Sequence, residues 1–484
     1  MSSWIDVEFQ LSSGLLTHRH NIYMNNSSII SEPSIGQREY LRYLQNRAKE
    51  LPSYMLMEIK AEIMDIPAVE KAISFFLKRH ESVRTVFPLI DGEIRQEVLP
   101  ETDERFKIEH IDVVNLKKPF TDSKEEYYKE AATLFSHIDK GPLIKFYLFK
   151  VEGFYYNFSL LIHHIICDEW SYAVMSKELT WFYECYASGN EPDIQPMASQ
   201  LRNYCDAQNA LLCRNREELS AFWKNKLQGF DSLFDIASFY EGYSRRKNMK
   251  LSELPDKKNM TLAELTEIYD RKGAFSYTKL IAGDKFENLK KMAELNKCTF
   301  SSLIYASLYI LIYAYTRRNK VLLATLVADR YIPAHQCLIG CLLGAIYLPE
   351  SISDQVVIND FIRKTFLDFT TSCSKIIFDH DYLDLDGIRL RAICDMYINY
   401  KRQEYNLNKN FGSIEKHVEI SEVYYPLICT AGEYDDGFAF AWNYSKYLFD
   451  KEVIEDLVKC HEDILVYMSL HGSGTIRDIL NYLE

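Results

Sequence analysis

Apolar and polar residues follow two different periodicities along the first part of the chain. Residues 68–82 (AVEKAISFFLKRHES) place apolar side chains three and four positions apart, which predicts an amphipathic helix. Residues 86–99 predict a hairpin that turns at Asp91 and Gly92. Residues 145–162 predict a second hairpin, because two aromatic and β-branched runs flank a short Glu-Gly turn.

The later part of the chain changes from polar helical patterns back to alternating strands and helices. Residues 195–229 predict a helical bridge, whereas residues 240–272 are rich in charge and predict the least ordered connector. Residues 287–316 then predict two helices, and residues 321–330 predict a strand. We therefore predict an N-terminal lobe over residues 1–190, a helical bridge and polar connector over 191–272, and a C-terminal lobe over 273–484.

The segment HHIICDEWS, residues 163–171, lies between a predicted buried strand at residues 154–162 and a predicted helix that ends at Gly189. Reactive side chains at such a junction lie at the edge of a sheet, where a substrate can reach them. Successive side chains of an extended segment point to opposite faces. We therefore expect His163 and His164 to have different surroundings, one packed inward and the other facing a cleft.

Three interpretations of this segment are open. In the structural one, the histidines are buried and Asp168 is a helix N-cap that accepts a hydrogen bond from the backbone N–H of Ser171. In the second, two histidines and a carboxylate bind a metal ion, which the alternation of the imidazoles disfavours. In the third, one histidine is the general base of an acyl transfer and Asp168 orients or supports it.

Seven segments in chain order carry a recognisable set of motifs. They are residues 33–44 (PSIGQREYLRYL), 79–87 (RHESVRTVF), 163–171 (HHIICDEWS), 201–208 (LRNYCDAQ), 326–351 (LVADRYIPAHQCLIGCLLGAIYLPES), 378–386 (FDHDYLDLD) and 440–465 (FAWNYSKYLFDKEVIEDLVKCHEDIL). Together they resemble the condensation domains of nonribosomal peptide synthetases, which are chloramphenicol-acetyltransferase-like acyltransferases. The resemblance covers nearly the whole chain and favours the third interpretation.

The chain departs from the family pattern at three places around the expected site. Glu169 stands where the third motif has glycine, and Gly344 and Ala345 stand where the fifth has an Asn-Thr pair. Residues 379–381, Asp-His-Asp, replace the His-Gln-Asp of the sixth motif. These changes alter the wall of the expected cleft, so they leave the identity of the substrates open.

The resemblance implies an α+β fold with two chloramphenicol-acetyltransferase-like lobes. Each lobe is expected to be a mixed sheet flanked by helices, and the lobes to form a V with an active-site tunnel between them. His164 is the expected catalytic histidine near the tunnel centre. The other two residues of the catalytic motif, His163 and Asp168, are expected to act structurally, with Asp168 paired to Arg330 across the lobes.

The resemblance also assigns supporting positions. Arg79 and the rest of its motif are expected to brace the N-terminal lobe. Ser171 is expected to donate a hydrogen bond near the oxyanion, and Trp170 either to flank the site or to start the core face of its helix. The expected tunnel positions are Glu169, Trp170, Ser171, Gly344 and Tyr347, with Asp381 as a further candidate.

Two orientations of the Glu169 side chain are open. If its carboxylate turns inward, it raises the pKa of the neighbouring imidazole and attracts a cationic amine as acceptor. If it turns outward, it is a solvated residue in the first turn of a helix.

The reaction implied is the attack of an amine on a carrier-bound acyl thioester to form an amide. An imidazole, with an ordinary pKa of about 6.5, accepts the proton that the amine loses. The resemblance implies a carrier protein acting in trans with a phosphopantetheine arm, an amine acceptor that is carrier-bound or free, no permanently bound cofactor and no metal. An ester-forming enzyme with an alcohol acceptor, or a silent domain that recruits an oxygenase, remain alternatives.

Composition bears on the partners of the protein, the state of its cysteines and its location. The chain has 56 Lys and Arg against 69 Asp and Glu, a net charge of −13 that disfavours a nucleic-acid partner. Eleven scattered cysteines are typical of reduced thiols, and the acidic start lacks a signal-peptide pattern. Residues 300–315 are apolar but shorter than the roughly 20 residues of a membrane span, so they predict a core helix. We expect a cytoplasmic, monomeric, stand-alone enzyme.

Overall fold

The computed structural model describes eleven stretches of the chain. They are residues 24–25, 28–46, 54–116, 118–152, 155–230, 234–253, 261–269, 273–377, 393–402, 415–420 and 425–484. Contacts between residues divide the chain into two compact units. The first contains residues 1–208 and 337–341, and the second contains residues 209–336 and 342–484. The boundaries at 190 and 272 that the sequence suggests remain predictions about domain organisation.

The described residues form both helices and strands throughout the chain. The helices are α1 Ile35–Asn46, α2 Ile66–Arg79, α3 Phe120–Phe135, α4 Glu169–Ala187, α5 Leu201–Lys226, α6 Ile236–Lys247, α7 Leu262–Tyr269, α8 Asp284–Leu295, α9 Phe300–Thr316, α10 Pro333–Gln336, α11 Ile358–Cys373, α12 Lys451–Leu470 and α13 Ile476–Leu483. Short 3-10 turns lie at Glu81–Arg84, Glu104–Phe106, Val113–Leu116, His164–Ile166 and Leu251–Glu253.

The strands alternate with these helices. They are β1 Met24–Asn25, β2 Ser28–Ser31, β3 Tyr54–Ala61, β4 Thr85–Val86, β5 Leu89–Ile90, β6 Glu93–Ile94, β7 Gln96–Val98, β8 Glu109–Asp112, β9 Ile144–Glu152, β10 Tyr155–His163, β11 Ala274–Ala282, β12 Lys320–Ala328, β13 Leu343–Ser351, β14 Met396–Arg402, β15 Glu415–Ile420, β16 Leu427–Tyr434 and β17 Gly437–Ser445. The α+β class expected from the sequence is confirmed.

The first unit is organised around a four-stranded sheet with the order β3-β10-β9-β8. Strands β9 and β10 pair antiparallel from Ile144 opposite Ile162, which confirms the predicted second hairpin. The first predicted hairpin is also present: β5 and β6 pair across a turn at Asp91 and Gly92, whose φ angles are 52° and 81°. Left-handed backbone at both positions is the conformation that a tight hairpin turn requires.

The central strand β10 is buried on both faces, and its pleat sorts its side chains between two helical layers. Phe158, Leu160 and Ile162 join a core that includes apolar residues of α2 and α4. Leu161 joins a second core with residues of α3. His163 follows the same alternation as Leu161, so it lies on the face of the sheet that α3 covers.

The second unit contains a seven-stranded mixed sheet with the order β13-β12-β14-β16-β17-β11-β15. Strand β14 is parallel to both β12 and β16, and the other neighbours are antiparallel. Helix α9 is buried over almost its whole length, which confirms that residues 300–315 form a core helix. No single helix of the described stretches meets the length and apolarity needed to cross a membrane; α8 and α9 meet them only as a pair bent by 103°.

The predicted connector over residues 240–272 is wrong for the part of it that the structure describes, because most of α6 and all of α7 fall within it. Helix α6 packs closely on α9: a Cβ atom added to Gly242 would lie 2.1 Å from the carbonyl oxygen of Tyr315. Tertiary packing therefore orders a segment whose polar composition hides its helical structure. The eleven cysteines, all of which lie in the described stretches, are outside any disulfide there.

Candidate functional site

The segment His163–Ser171 lies at a strand-to-helix junction, as predicted. Strand β10 ends at His163, a 3-10 turn covers His164–Ile166, and α4 begins at Glu169. Asp168 is the N-cap of α4, and its Oδ1 accepts a hydrogen bond from the backbone N–H of Ser171 at 2.7 Å. The predicted capping contact is therefore confirmed.

His163 is fully buried and held by the backbone. Its Nδ1 accepts a hydrogen bond from the N–H of Ile165 at 2.9 Å, so the ring proton is on Nε2. Burial lowers the pKa of His163 to about 3, with a smaller contribution from neighbouring His164. The edges of Phe135 and Tyr40 approach its ring, with centroids 6.1 and 6.0 Å away. His163 is thus a neutral side chain near pH 7, packed inward as expected.

His164 is different, because it is only half-buried. Its Nδ1 is buried and has no hydrogen-bond partner among the residues that the structure describes. The ring of Tyr40 lies 6.1 Å from its ring, at an interplanar angle of 33°. Within the described stretches no three His, Cys, Asp or Glu residues are placed to hold a metal ion. Two adjacent histidines therefore have separate surroundings, and only His164 is partly accessible.

Ser171 joins the start of α4 to a distant part of the chain. Its side chain is fully buried, with Oγ 2.7 Å from Asp168 Oδ1 and 2.9 Å from the carbonyl oxygen of Gly340. The backbone N–H of Gly340 in turn donates to Ser171 Oγ at 3.0 Å. Ile339, the neighbour of Gly340, is 1% exposed in the core of the first unit. Both acceptors within reach of the Ser171 hydroxyl, Asp168 Oδ1 and the Gly340 carbonyl oxygen, lie inside the protein, and this buried position corrects the expectation that the hydroxyl serves an oxyanion.

Glu169 and Trp170 form the exposed side of the first turn of α4. Glu169 is exposed, so the inward interpretation of its carboxylate is wrong, and the expectation of a cationic acceptor loses its support. Trp170 is 43% exposed, so it does not start the core face of the helix. The physical reason is the geometry of the cap: Asp168 and Ser171 turn inward together, and the two residues between them are left on the outer side.

The second motif, Arg79–Phe87, ties α2 to other elements of the first unit. Arg79 donates to Glu178 Oε1 at 3.2 Å and to the carbonyl oxygen of Gln195 at 2.8 Å. His80 Nε2 lies 2.6 Å from Glu178 Oε2, and burial lowers the pKa of His80 against the opposing effect of that carboxylate. Arg84 Nε donates to the carbonyl oxygen of Leu77 at 2.8 Å. Each of these contacts is structural.

The first motif fixes the start of α1. Gln37 Oε1 accepts from the backbone N–H of Ser34 at 2.9 Å, and Ser34 Oγ accepts from the N–H of Gln37 at 3.0 Å. This reciprocal pair is a capping box. Three residues further along the same helix face lies Tyr40, which contacts both histidine rings. Sequence reasoning missed Tyr40; its position in the first motif, on the buried face with Gln37, was the available signal.

The remaining predicted site residues lie in the second unit. Arg330 is 3% exposed, and its guanidinium donates to the carbonyl oxygen of His335 at 2.9 Å. On β13, Gly344 is buried opposite Val327, and Tyr347 is fully buried with its ring edge-to-face against Trp223 at 6.3 Å. The Asp168–Arg330 pair, the V arrangement and the tunnel stay predictions. The sixth motif, with Asp381, lies outside the described residues.

Comparison with known proteins supplies the family. Residues 51–481 match the family model of the condensation domain. Bacitracin synthase 1 of Bacillus licheniformis is 23% identical over 426 residues, which are 86% of this chain but 7% of that protein. The chain thus spans a small part of this much longer relative.

Solved structures show the same fold. The condensation domain from the monacolin K polyketide synthase has a TM-score of 0.70 at 14% identity, covering 93% of this chain and all of that one. The X-domain from teicoplanin biosynthesis has a TM-score of 0.67 at 16% identity, covering 92% of this chain and 96% of that one. At such low identity these likenesses establish the fold alone.

Proposed function

Because the chain belongs to the condensation-domain family, we propose that it joins the acyl or peptidyl group of a carrier-bound thioester to an amine. The product is an amide, and the reaction is a step of nonribosomal peptide biosynthesis. The donor arrives on the phosphopantetheine arm of a carrier protein, so the enzyme needs no permanently bound cofactor. The observation that supports this most is the pair of adjacent histidines, of which one is buried and the other half-exposed.

His164 is the general base in this proposal. The amine nitrogen attacks the thioester carbonyl, a C–N bond forms, and His164 takes the proton that the nitrogen loses. The tetrahedral intermediate then breaks its C–S bond, and the departing phosphopantetheine thiolate takes up the proton that His164 holds, which restores the neutral imidazole. Base assistance of this kind is worth on the order of 10²–10⁴ in rate. Alignment of the two substrates adds to it through effective molarity.

His163 and Asp168 support His164 from either side of the motif. His163 is neutral because it is buried, and its hydrogen bond from Ile165 N–H holds the turn in which His164 lies. Asp168 caps α4 and fixes Ser171. We further propose that Asp168 pairs with Arg330.

The substrate path in this proposal passes the exposed start of α4, at Glu169 and Trp170. Gly344 and Tyr347 of β13 are buried, so they are not part of the wall of this path.

The decisive experiment offers the protein a panel of acyl-carrier thioesters together with free amines, carrier-bound amines and alcohols, and reads the products by mass spectrometry. We expect an amide product from wild type, and a loss of about 100-fold or more in a folded His164→Ala variant, because the base is gone. His110→Ala is the matched control, since His110 is an exposed histidine of the same unit whose side chain bonds to Glu70 on the protein surface. It should retain activity.

Three outcomes would contradict the proposal. Full activity of a folded His164→Ala protein would remove His164 from the mechanism. Ester products in place of amides would assign the chain to the alcohol-using branch of the fold. A wild-type protein that binds acyl carriers but makes no product with any acceptor would mark it as a silent binding domain.

A further inference from the structure

One aromatic ring contacts both histidines of the candidate site. The ring of Tyr40, on α1, makes an interplanar angle of 89° with the ring of His163, and the two centroids are 6.0 Å apart. Its interplanar angle with the ring of His164 is 33°, and those centroids are 6.1 Å apart. The first is an edge-to-face contact, which aromatic rings favour. The second is a tilted contact, which places the Tyr40 ring beside the His164 imidazole.

Tyr40 is itself held in place by α1, independently of the histidines. The capping box of Ser34 and Gln37 fixes the first turn of that helix. Cys205 Sγ, from α5, lies 3.5 Å from Gln37 Oε1, and Leu41 is 1% exposed in the main core of the first unit. Tyr40 packs against the same core. The position of its ring is therefore set by a rigid element rather than by a loop.

His164 differs from His163 in what fixes its ring. The imidazole of His163 is oriented by the hydrogen bond from Ile165 N–H. The buried Nδ1 of His164 has no corresponding partner among the residues that the structure describes. No hydrogen bond to Nδ1 from those residues defines the plane of the His164 ring, and the ring of Tyr40 is the neighbouring group that is placed to restrict it.

We propose that Tyr40 is a positioning residue that fixes the plane of the His164 ring and so the direction of its Nε2 towards a substrate. This proposal rests on the proposed function of His164 as the base. The ring of Tyr40 does the work through packing, and its hydroxyl is not required. A small misplacement of a reacting group is enough to cost about 10²-fold in rate, so loss of the ring should act on the chemical step more than on binding.

The test compares Tyr40→Phe, which keeps the ring, with Tyr40→Leu, which removes it. We expect Tyr40→Phe to retain most of the activity. We expect Tyr40→Leu to lower kcat by roughly 10- to 100-fold with little change in KM. The matched control is Phe75→Leu, which removes a half-buried ring from the same core; Phe75 contacts Phe182 and Tyr186. It should cost a similar loss of Tm and leave kcat unchanged.

A second readout does not depend on turnover. In protein labelled at its histidines, the ring signals of His164 are assigned by their loss in His164→Ala and followed by NMR. We expect Tyr40→Leu to shift and broaden these signals because the ring becomes mobile, and Tyr40→Phe and Phe75→Leu to leave them in place. Unchanged His164 signals in Tyr40→Leu would overturn the proposal, even if the wild-type protein proves inactive and the proposed function fails.

Two kinetic outcomes would also overturn it. A loss of kcat in Tyr40→Leu no larger than that in Phe75→Leu would assign the effect to general destabilisation. A loss in Tyr40→Phe equal to that in Tyr40→Leu would assign the role to the hydroxyl instead of the ring.

Discussion

Two helices, one in each unit, begin with the same four-residue pattern, Asp-x-x-Ser. Helix α4 follows Asp168 and has Ser171 in its first turn, and α6 follows Asp235 and has Ser238. In both, the aspartate accepts from the backbone N–H of the serine, at 2.7 Å in α4 and 3.1 Å in α6. The local sequence therefore produces the same N-cap twice.

The two serines differ in what their hydroxyls reach. Ser238 Oγ turns back on its own turn and donates to the carbonyl oxygen of Asp235 at 2.8 Å. Ser171 Oγ contacts Asp168 Oδ1 and both backbone groups of Gly340, which is 169 positions away in the chain. The same pattern is a local cap in one unit and a long-range tether in the other, so the pattern alone does not identify a site. The residues before the pattern identify the site, because two histidines precede Asp168 and none closely precedes Asp235.

The largest effect on stability should appear on acidification, because the buried His163 precedes α4. The pKa of folded His163 is about 3, below the value of about 6.5 for an unfolded histidine. The unfolded chain therefore binds the proton first, and the free energy of unfolding falls as the pH drops from 6.5 towards 3. The slope approaches about 1.4 kcal/mol per pH unit for each such histidine. Above pH 6.5 this contribution does not change.

Urea unfolding between pH 7 and 4 measures this slope. His163→Phe should flatten it, although it also costs stability at pH 7 through the lost hydrogen bond to Ile165 N–H. His461, in α12 of the second unit, is the internal comparison: burial also lowers its pKa to about 3, and Ser307 Oγ lies 2.8 Å from its Nε2. Its replacement should flatten the slope equally. A slope that neither variant changes would contradict the neutral, buried state of both histidines.

How well the sequence predicts each contact depends on how far apart the two contacting residues are in the chain. The cap of Asp168 and the burial of β10 follow from neighbouring residues, so periodicity and residue type were sufficient. The tether from Ser171 to Gly340 joins residues 169 positions apart, and no local pattern encodes such a partner. Helix α6 was missed for a related reason: its polar composition suggests a connector, and the close approach of Gly242 to Tyr315 is a tertiary feature. Exposure of Glu169 likewise follows from the cap geometry rather than from its identity.

The second-largest effect should come from removal of the capping aspartates, which should cost more stability at α4 than at α6. Asp235→Ala loses a half-buried cap and should cost about 1 kcal/mol. Asp168→Ala loses a fully buried cap together with a partner of the Ser171 hydroxyl, so we expect roughly 2–4 kcal/mol. Asp168→Asn keeps an acceptor oxygen and should lose less. Calorimetry of both alanine variants measures the comparison, and equal losses would show that the tether adds nothing to the cap.

The smallest effect, and the sharpest test, is the removal of each serine hydroxyl. Ser238→Ala removes a hydrogen bond within one helical turn and should change stability by less than about 1 kcal/mol. Ser171→Ala leaves the N–H and C=O of Gly340 without their hydroxyl partner inside the protein, which should cost about 1–3 kcal/mol. The readout that distinguishes a tether from a cap is amide hydrogen exchange. In Ser171→Ala, protection should fall at Gly340 as well as in the first turn of α4, whereas in Ser238→Ala it should fall only near Ser238. If Gly340 keeps its protection in Ser171→Ala, the segment 337–341 is held by the burial of Ile339 instead, and the two helix starts are alike after all.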